Sequence, residues 1–192
     1  NMACRMCGTF CSSMWNQEVI KNPELQQFKP KMNDKSVLAV TKSKQQDIID
    51  TFHDNINDVK MVYWAGGEPL INDTHWTILQ MLLDNNRSDV QLRYNTNMLK
   101  LDYKGRNAID EWKKFTGHIG VTVSLDSIGP RAEYNRHGTK WDILERNIDS
   151  LLENFKDNTH ISITTSIYTI GNLTQTLDWC KHKGISNVIY SN

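Results

Sequence analysis

His118-Ile119-Gly120-Val121-Thr122-Val123-Ser124-Leu125-Asp126 alternates: Val121, Val123 and Leu125 are apolar, while Thr122, Ser124 and Asp126 are polar. A period of two marks a strand with one dry and one wet face. The same alternation runs through His160–Tyr168, where Ser162, Thr164 and Ser166 oppose Ile161, Ile163 and Ile167. It recurs in Val90–Asn97, where Arg93, Asn95 and Asn97 oppose Leu92 and Tyr94. Two more β-type runs begin at Val59 (VKMVYWA) and Asn187 (NVIYS), so successive runs start 31, 28, 42 and 27 residues apart. That spacing leaves room for one helix between each pair, the rhythm of βαβ units.

The intervening segments carry the helical period. Trp141, Leu144, Ile148, Leu151, Leu152 and Phe155 form one apolar stripe within Thr139–Phe155. Thr139, three residues before Asp142, resembles a capping box. Further helices are expected over Ser43–Ile56, Thr74–Asn85, Asn107–Phe115 and Leu173–Lys183, the last stopped by Gly184. Parallel strands with helices on both faces read as nearly continuous apolar runs. Here one face of each strand is polar. The pattern therefore predicts an α/β barrel, or part of one, with something polar in its lumen. An antiparallel sheet with one wet face is the competing reading, and the helices between the strands count against it.

A length of 192 residues suits one domain with a core of its own. Lys plus Arg and Asp plus Glu both number 22, and this zero balance gives no support to a nucleic-acid or membrane-surface binder. No apolar run approaches the roughly 18 residues of a bilayer span, and no secretory signal opens the chain. Lys21–Lys35, polar and holding Pro23 and Pro30, is expected to be a surface excursion. His53, His75 and His182 fall in helical stretches and are expected at the surface; His118 and His160 open strands.

Three of the four cysteines, Cys4, Cys7 and Cys11, crowd one end. That density is too low for a disulfide scaffold and points to a reducing, cytoplasmic setting with metal or redox chemistry at the cluster. Short-spaced thiolates suit zinc or an iron–sulfur cluster. A tetrahedral zinc site would have to borrow Cys180 and His182. Three buried free cysteines is the remaining reading. Next comes Trp64-Ala65-Gly66-Gly67-Glu68-Pro69, directly after a strand run. In α/β barrels that end of a strand carries the ligand site. Two glycines allow close approach to the backbone, and Pro69 stiffens the exit. The dinucleotide fingerprint G-x-G-x-x-G is absent.

Together these two motifs resemble the radical S-adenosylmethionine (SAM) enzymes, whose hallmarks are CxxxCxxC and a GGEP-type motif after the second strand. Asn1–Cys7 matches the last seven residues of the first motif, and Gly66–Pro69 matches the second in full. The resemblance covers essentially the whole chain. It implies a partial TIM-type (β/α)6 barrel over residues 1–192, truncated at both ends. A first strand and a first cluster thiolate would precede Asn1, and a SPASM or shortened twitch extension would follow Asn192.

The resemblance also implies roles. Cys4 and Cys7 match two thiolates of a 4Fe-4S cluster whose open iron SAM chelates. Gly66, Gly67 and Glu68, with Pro69 behind them, match the segment holding the SAM amino group. Met6 stands where the family usually has an aromatic residue near the adenine. Ser124 and Asp126 match an S-x-D pattern whose Ser meets the SAM carboxylate or ribose. Arg136 matches an arginine that pairs with that carboxylate, and Asn95 lies at a strand end where polar contacts to SAM or substrate occur. Cys11 matches no family role. The implied reaction is reductive cleavage of SAM to a 5′-deoxyadenosyl radical that takes hydrogen from a peptide or protein, or from a small molecule. A flavodoxin or ferredoxin would supply the electron. The alternative is a non-catalytic nucleotide- or metabolite-binding or interaction domain, with a Cys-bound zinc or a degenerate cluster site.

Overall fold

The computed structural model of the chain describes residues 3–4, 13–28 and 42–191. In chain order the elements are β1 (Ala3–Cys4), α1 (Ser13–Lys21), α2 (Lys42–Asp54), β2 (Met61–Trp64), α3 (Asp73–Asp84), β3 (Gln91–Thr96), β4 (Asp102–Tyr103), β5 (Arg106–Asn107), α4 (Ala108–Trp112), β6 (Ile119–Ser124), α5 (Gly129–Asn135), β7 (Arg136–His137), α6 (Trp141–Phe155), β8 (Thr159–Thr164), α7 (Leu173–His182) and β9 (Val188–Ser191). A 3-10 helix over Pro23–Phe28 occupies part of the expected surface excursion; residues 29–35 of it lie outside the described residues.

Five strands form one sheet in the order β2-β3-β6-β8-β9. Every pairing in it is parallel. This is the parallel α/β architecture expected, and the antiparallel reading is excluded. The described residues form five strands in an open sheet, not a closed ring of six.

The alternation of the sequence becomes two unlike faces. On one, Leu92 and Tyr94 of β3, Val121 and Val123 of β6, and Ile161 and Ile163 of β8 are buried in the main core. Leu144, Ile148 and Leu151 of α6 join them, as do Leu79 and Leu82 of α3 and Trp112 of α4. Each such side chain contributes about 1.5–3 kcal/mol by leaving water. The Tyr94 and Trp112 rings meet at 4.8 Å in the middle of this layer. On the other face Arg93 is exposed and Asn95, Thr122, Ser124, His160, Ser162 and Thr164 are half-buried, with no helix of the described residues laid across them.

Several local expectations are corrected. His75 is fully buried, not a surface residue: its Nε2 lies 3.1 Å from the Tyr94 hydroxyl, and Trp64 and Trp76 pack edge-on against its ring. The helix carrying it is amphipathic, and position 75 falls on the sheet side. The capping box at α6 does not form. Lys140 is the N-cap, with no side-chain bond, and Glu133 Oε1 accepts from the Trp141 N–H at 2.9 Å instead. β8 stops at Thr164, because the Thr169 hydroxyl donates to the Thr164 carbonyl and accepts from the Ser166 N–H. A hairpin of β4 and β5, turned by Lys104 and Gly105 with positive φ, precedes α4 and was not anticipated.

Candidate functional site

The C-terminal ends of β2, β3, β6 and β8 converge on one edge of the wet face. After β2, Gly66 and Gly67 take φ of +80° and +57°. Both values lie where a side chain is strained, so the double glycine is a backbone requirement. A Cβ at Gly66 would meet nothing within 4 Å, which leaves its backbone open to a ligand.

Glu68 fixes this loop. Its carboxylate is buried and accepts from the Thr96 hydroxyl at 2.7 Å, the Asn97 N–H at 2.7 Å and the Leu70 N–H at 3.2 Å. The bonds clamp the loop after β2 to the end of β3. Burial raises the Glu68 pKa despite these hydrogen bonds. Pro69 opens the short 3-10 turn Pro69–Ile71 behind it, where its missing N–H costs nothing. Asn97 is a turn residue: its side-chain oxygen accepts from the Leu99 N–H. Asn95 lies on the wet face and donates to the Tyr63 hydroxyl at 2.8 Å.

Beyond β6, Asp126 is 2% exposed, and both its oxygens are engaged. One accepts from the Thr164 N–H at 2.8 Å and the other from Arg136 Nε at 2.5 Å. A charge-assisted pair this deeply placed orients the guanidinium. Arg136 Nη1 lies 3.9 Å from the Cys4 sulfur. The reason is topological: β1 pairs antiparallel with β7, setting Cys4 opposite Arg136. Cys4 is buried, and the Trp15 indole of α1 donates to its carbonyl at 2.8 Å. Ser124 stands half-buried on the wet face; its hydroxyl bonds to none of the described residues.

The strand ends thus carry two bonded sets, Cys4–Arg136–Asp126–Thr164 and Glu68 with Thr96 and Asn97, with Ser124 near the first and Gly66 and Gly67 in the loop of the second. Met6, Cys7 and Cys11 lie outside the described residues. Cys180 is buried in the core, where desolvation pushes its thiol up to about 11, while His182 is exposed. Among the described residues no group of three or more His, Cys, Asp or Glu side chains could hold a metal ion. Thr164 and Trp15 hold functional side chains in place through backbone atoms. Nothing in the sequence separates that use from ordinary packing.

A sequence profile described as the Radical SAM superfamily matches residues 1–180. The chain belongs to the radical SAM superfamily. Among solved structures it is similar to one described as native anSMEcpe with bound AdoMet, at 17% identity and a TM-score of 0.62. The match covers 99% of this chain and 48% of that one, so the chain spans about half of that protein's length. At this identity the likeness speaks for the fold. No curated protein matches the sequence. No helix among the described residues is long and apolar enough to cross a membrane.

The superfamily implies a 4Fe-4S cluster and SAM, and the described residues fit them. A buried thiol faces a guanidinium, which balances negative charge on sulfur. The open glycine backbone and the Ser124 hydroxyl offer polar contacts on the same edge. Cys4 and Cys7 would hold iron. Gly66, Gly67, Ser124 and Arg136 would hold the amino, carboxylate and ribose groups of SAM.

Proposed function

We propose that this chain is the catalytic core of an enzyme of the SPASM or twitch branch acting on a peptide or protein. The observation that carries the reading is the Cys4–Arg136–Asp126 network, which ties the N-terminal cysteine segment to the ends of β6 and β8. When bound, the cluster and SAM would supply one-electron reductive cleavage of SAM and hydrogen abstraction from the substrate.

The chain's own residues do the positioning. Asp126 holds the planar Arg136 guanidinium in place beside Cys4. Glu68 ties the loop after β2, with Gly66 and Gly67 at positive φ, to the end of β3. Ser124 offers a hydroxyl from the wet face. The branch and substrate rest on the S-x-D pattern of Ser124 and Asp126 and on the Arg136 segment. A small-molecule substrate is the variant reading of the same site. A third cluster thiolate ahead of Asn1, a flavodoxin or ferredoxin as electron donor and a cytoplasmic setting complete the proposal.

The test is anaerobic iron–sulfur reconstitution of the full-length protein, reduction with dithionite in the presence of SAM, and chromatography for 5′-deoxyadenosine. The nucleoside is expected in the wild type and in Cys11→Ala, and is expected to vanish in Cys4→Ala and Cys7→Ala. A wild-type protein that binds iron and sulfide yet forms none defeats the reading.

A further inference from the structure

The wet face holds a cavity of about 690 Å³ that begins below the network of strand ends and reaches the opposite end of the sheet. Arg93 lies near its middle, paired in register with Tyr63 on one side and Gly120 on the other. His118 enters from the start of β6, and His160 of β8 stands one strand over, in register with Thr122. Gly120 makes the floor: a Cβ there would lie 3.4 Å from His118 Nε2 and 3.8 Å from Arg93 Cγ. The glycine keeps the space between these two side chains clear.

The side chains of Arg93, His118 and His160 make no hydrogen bond or ion pair with any described residue. Three other arginines each have a carboxylate partner: Arg87 has Asp89, Arg106 has Glu111 and Arg136 has Asp126. Tyr63 accepts from Asn95, which leaves its own O–H proton for a ligand. A guanidinium, two imidazoles and a phenol therefore turn hydrogen-bond donors into one concavity. The other formal charge lining it is Asp157.

We propose that this cavity binds a carboxylate of the substrate, with Arg93 as the anchoring cation and His118 and His160 as flanking donors. This rests on the proposed reading of the chain as the core of an enzyme that acts on a peptide or protein. A single guanidinium fork matches one carboxylate in two parallel bonds. Asp157 opposes a second negative charge, which disfavours a phosphate dianion. Position also matters. Gly120, beside Arg93, precedes Ser124 by four residues of β6, a separation of about 13 Å along the strand. An acid anchored at Arg93 therefore belongs to an extended molecule whose far end reaches the SAM edge, as a short peptide does.

The test needs neither cluster nor SAM, so its failure and a failure of SAM cleavage are separate results. The chain is labelled with 15N at histidine and titrated at constant ionic strength with N-acetylglycine, with N-acetylglycinamide and with inorganic phosphate. The ring signals of His118 and His160 are expected to move saturably with the acid and to stay still with the amide. Arg93→Gln is expected to weaken binding of the acid by about tenfold or more, and Arg93→Lys, which keeps the charge but loses the fork, by less. Arg93 is exposed, so both variants should fold, and an unchanged backbone amide spectrum confirms it. The proposal falls if the acid causes no saturable shift, if the amide does as well, if phosphate binds more tightly, or if Arg93→Gln leaves the affinity unchanged.

Discussion

His75 and Glu68 are two buried titratable side chains that the fold handles in opposite ways. Glu68 keeps its charge company with one hydroxyl and two backbone N–H groups. His75 is buried among Trp64, Trp76 and Tyr94, its Nδ1 without a partner among the described residues, and burial, helped by the Arg106 charge, lowers its pKa to about 3. The folded ring therefore stays neutral where the unfolded one, near 6.5, takes a proton. Between those values the unfolded state binds more protons, so stability is complete above pH 6.5 and falls as pH drops towards 3. The slope from this one residue is about 1.4 kcal/mol per pH unit. Urea unfolding at several pH values should show it. His75→Gln, which still offers Tyr94 a hydrogen-bond partner, should flatten the acid limb by that amount. Equal slopes in the two proteins would mean that the imidazole is hydrated or charged in the folded state.

The elements show how far the sequence could be read. Period-two alternation located β3, β6 and β8, because a side chain's face in a strand follows from parity alone. The apolar stripe of α6 followed from the 3.6-residue period in the same way. What escaped was set by partners distant in sequence. At α6 the local pattern pointed to Thr139, yet the capping acceptor is Glu133 on the preceding helix, eight residues back. Thr139 is buried, and its hydroxyl has no hydrogen-bond partner among the described residues. The two accounts separate cleanly in stability measurements. Glu133→Ala should cost about 0.5–2 kcal/mol, the range for a lost N-cap. Thr139→Val should be neutral or stabilising, since it removes an unsatisfied buried oxygen. A larger loss at Thr139 than at Glu133 would restore the local capping box. The site divides along the same line. Gly66, Gly67 and Glu68 were legible as a contiguous motif. The antiparallel pairing of β1 with β7, which brings Cys4 to Arg136, depends on residues 132 positions apart, and no periodicity records it.

At the scale of the molecule, helices seal one face of the sheet, and no helix of the described residues covers the other. Among the described residues β2 and β9 each pair with one neighbour only, so both ends of the sheet present unpaired backbone groups. The edge strands also expose apolar side chains: Met61 and Tyr63 on β2, Ile189 and Tyr190 on β9. Natural edges of this kind are blunted by charge, bulges or a covering segment; Lys60 and Asn187, just outside the two strands, do little of this. The edge of β9 should therefore recruit a second strand. The 192-residue chain is expected to associate as its concentration rises, with light scattering behind a sizing column reporting masses above the monomer at tens of micromolar. Tyr190→Lys puts a charge on the β9 edge away from the concave cavity and should return the chain to monomer. A single monomeric mass for the unaltered chain across that range would show that its edges are already covered. An association that survives Tyr190→Lys would move the contact to β2 or to the bare face itself.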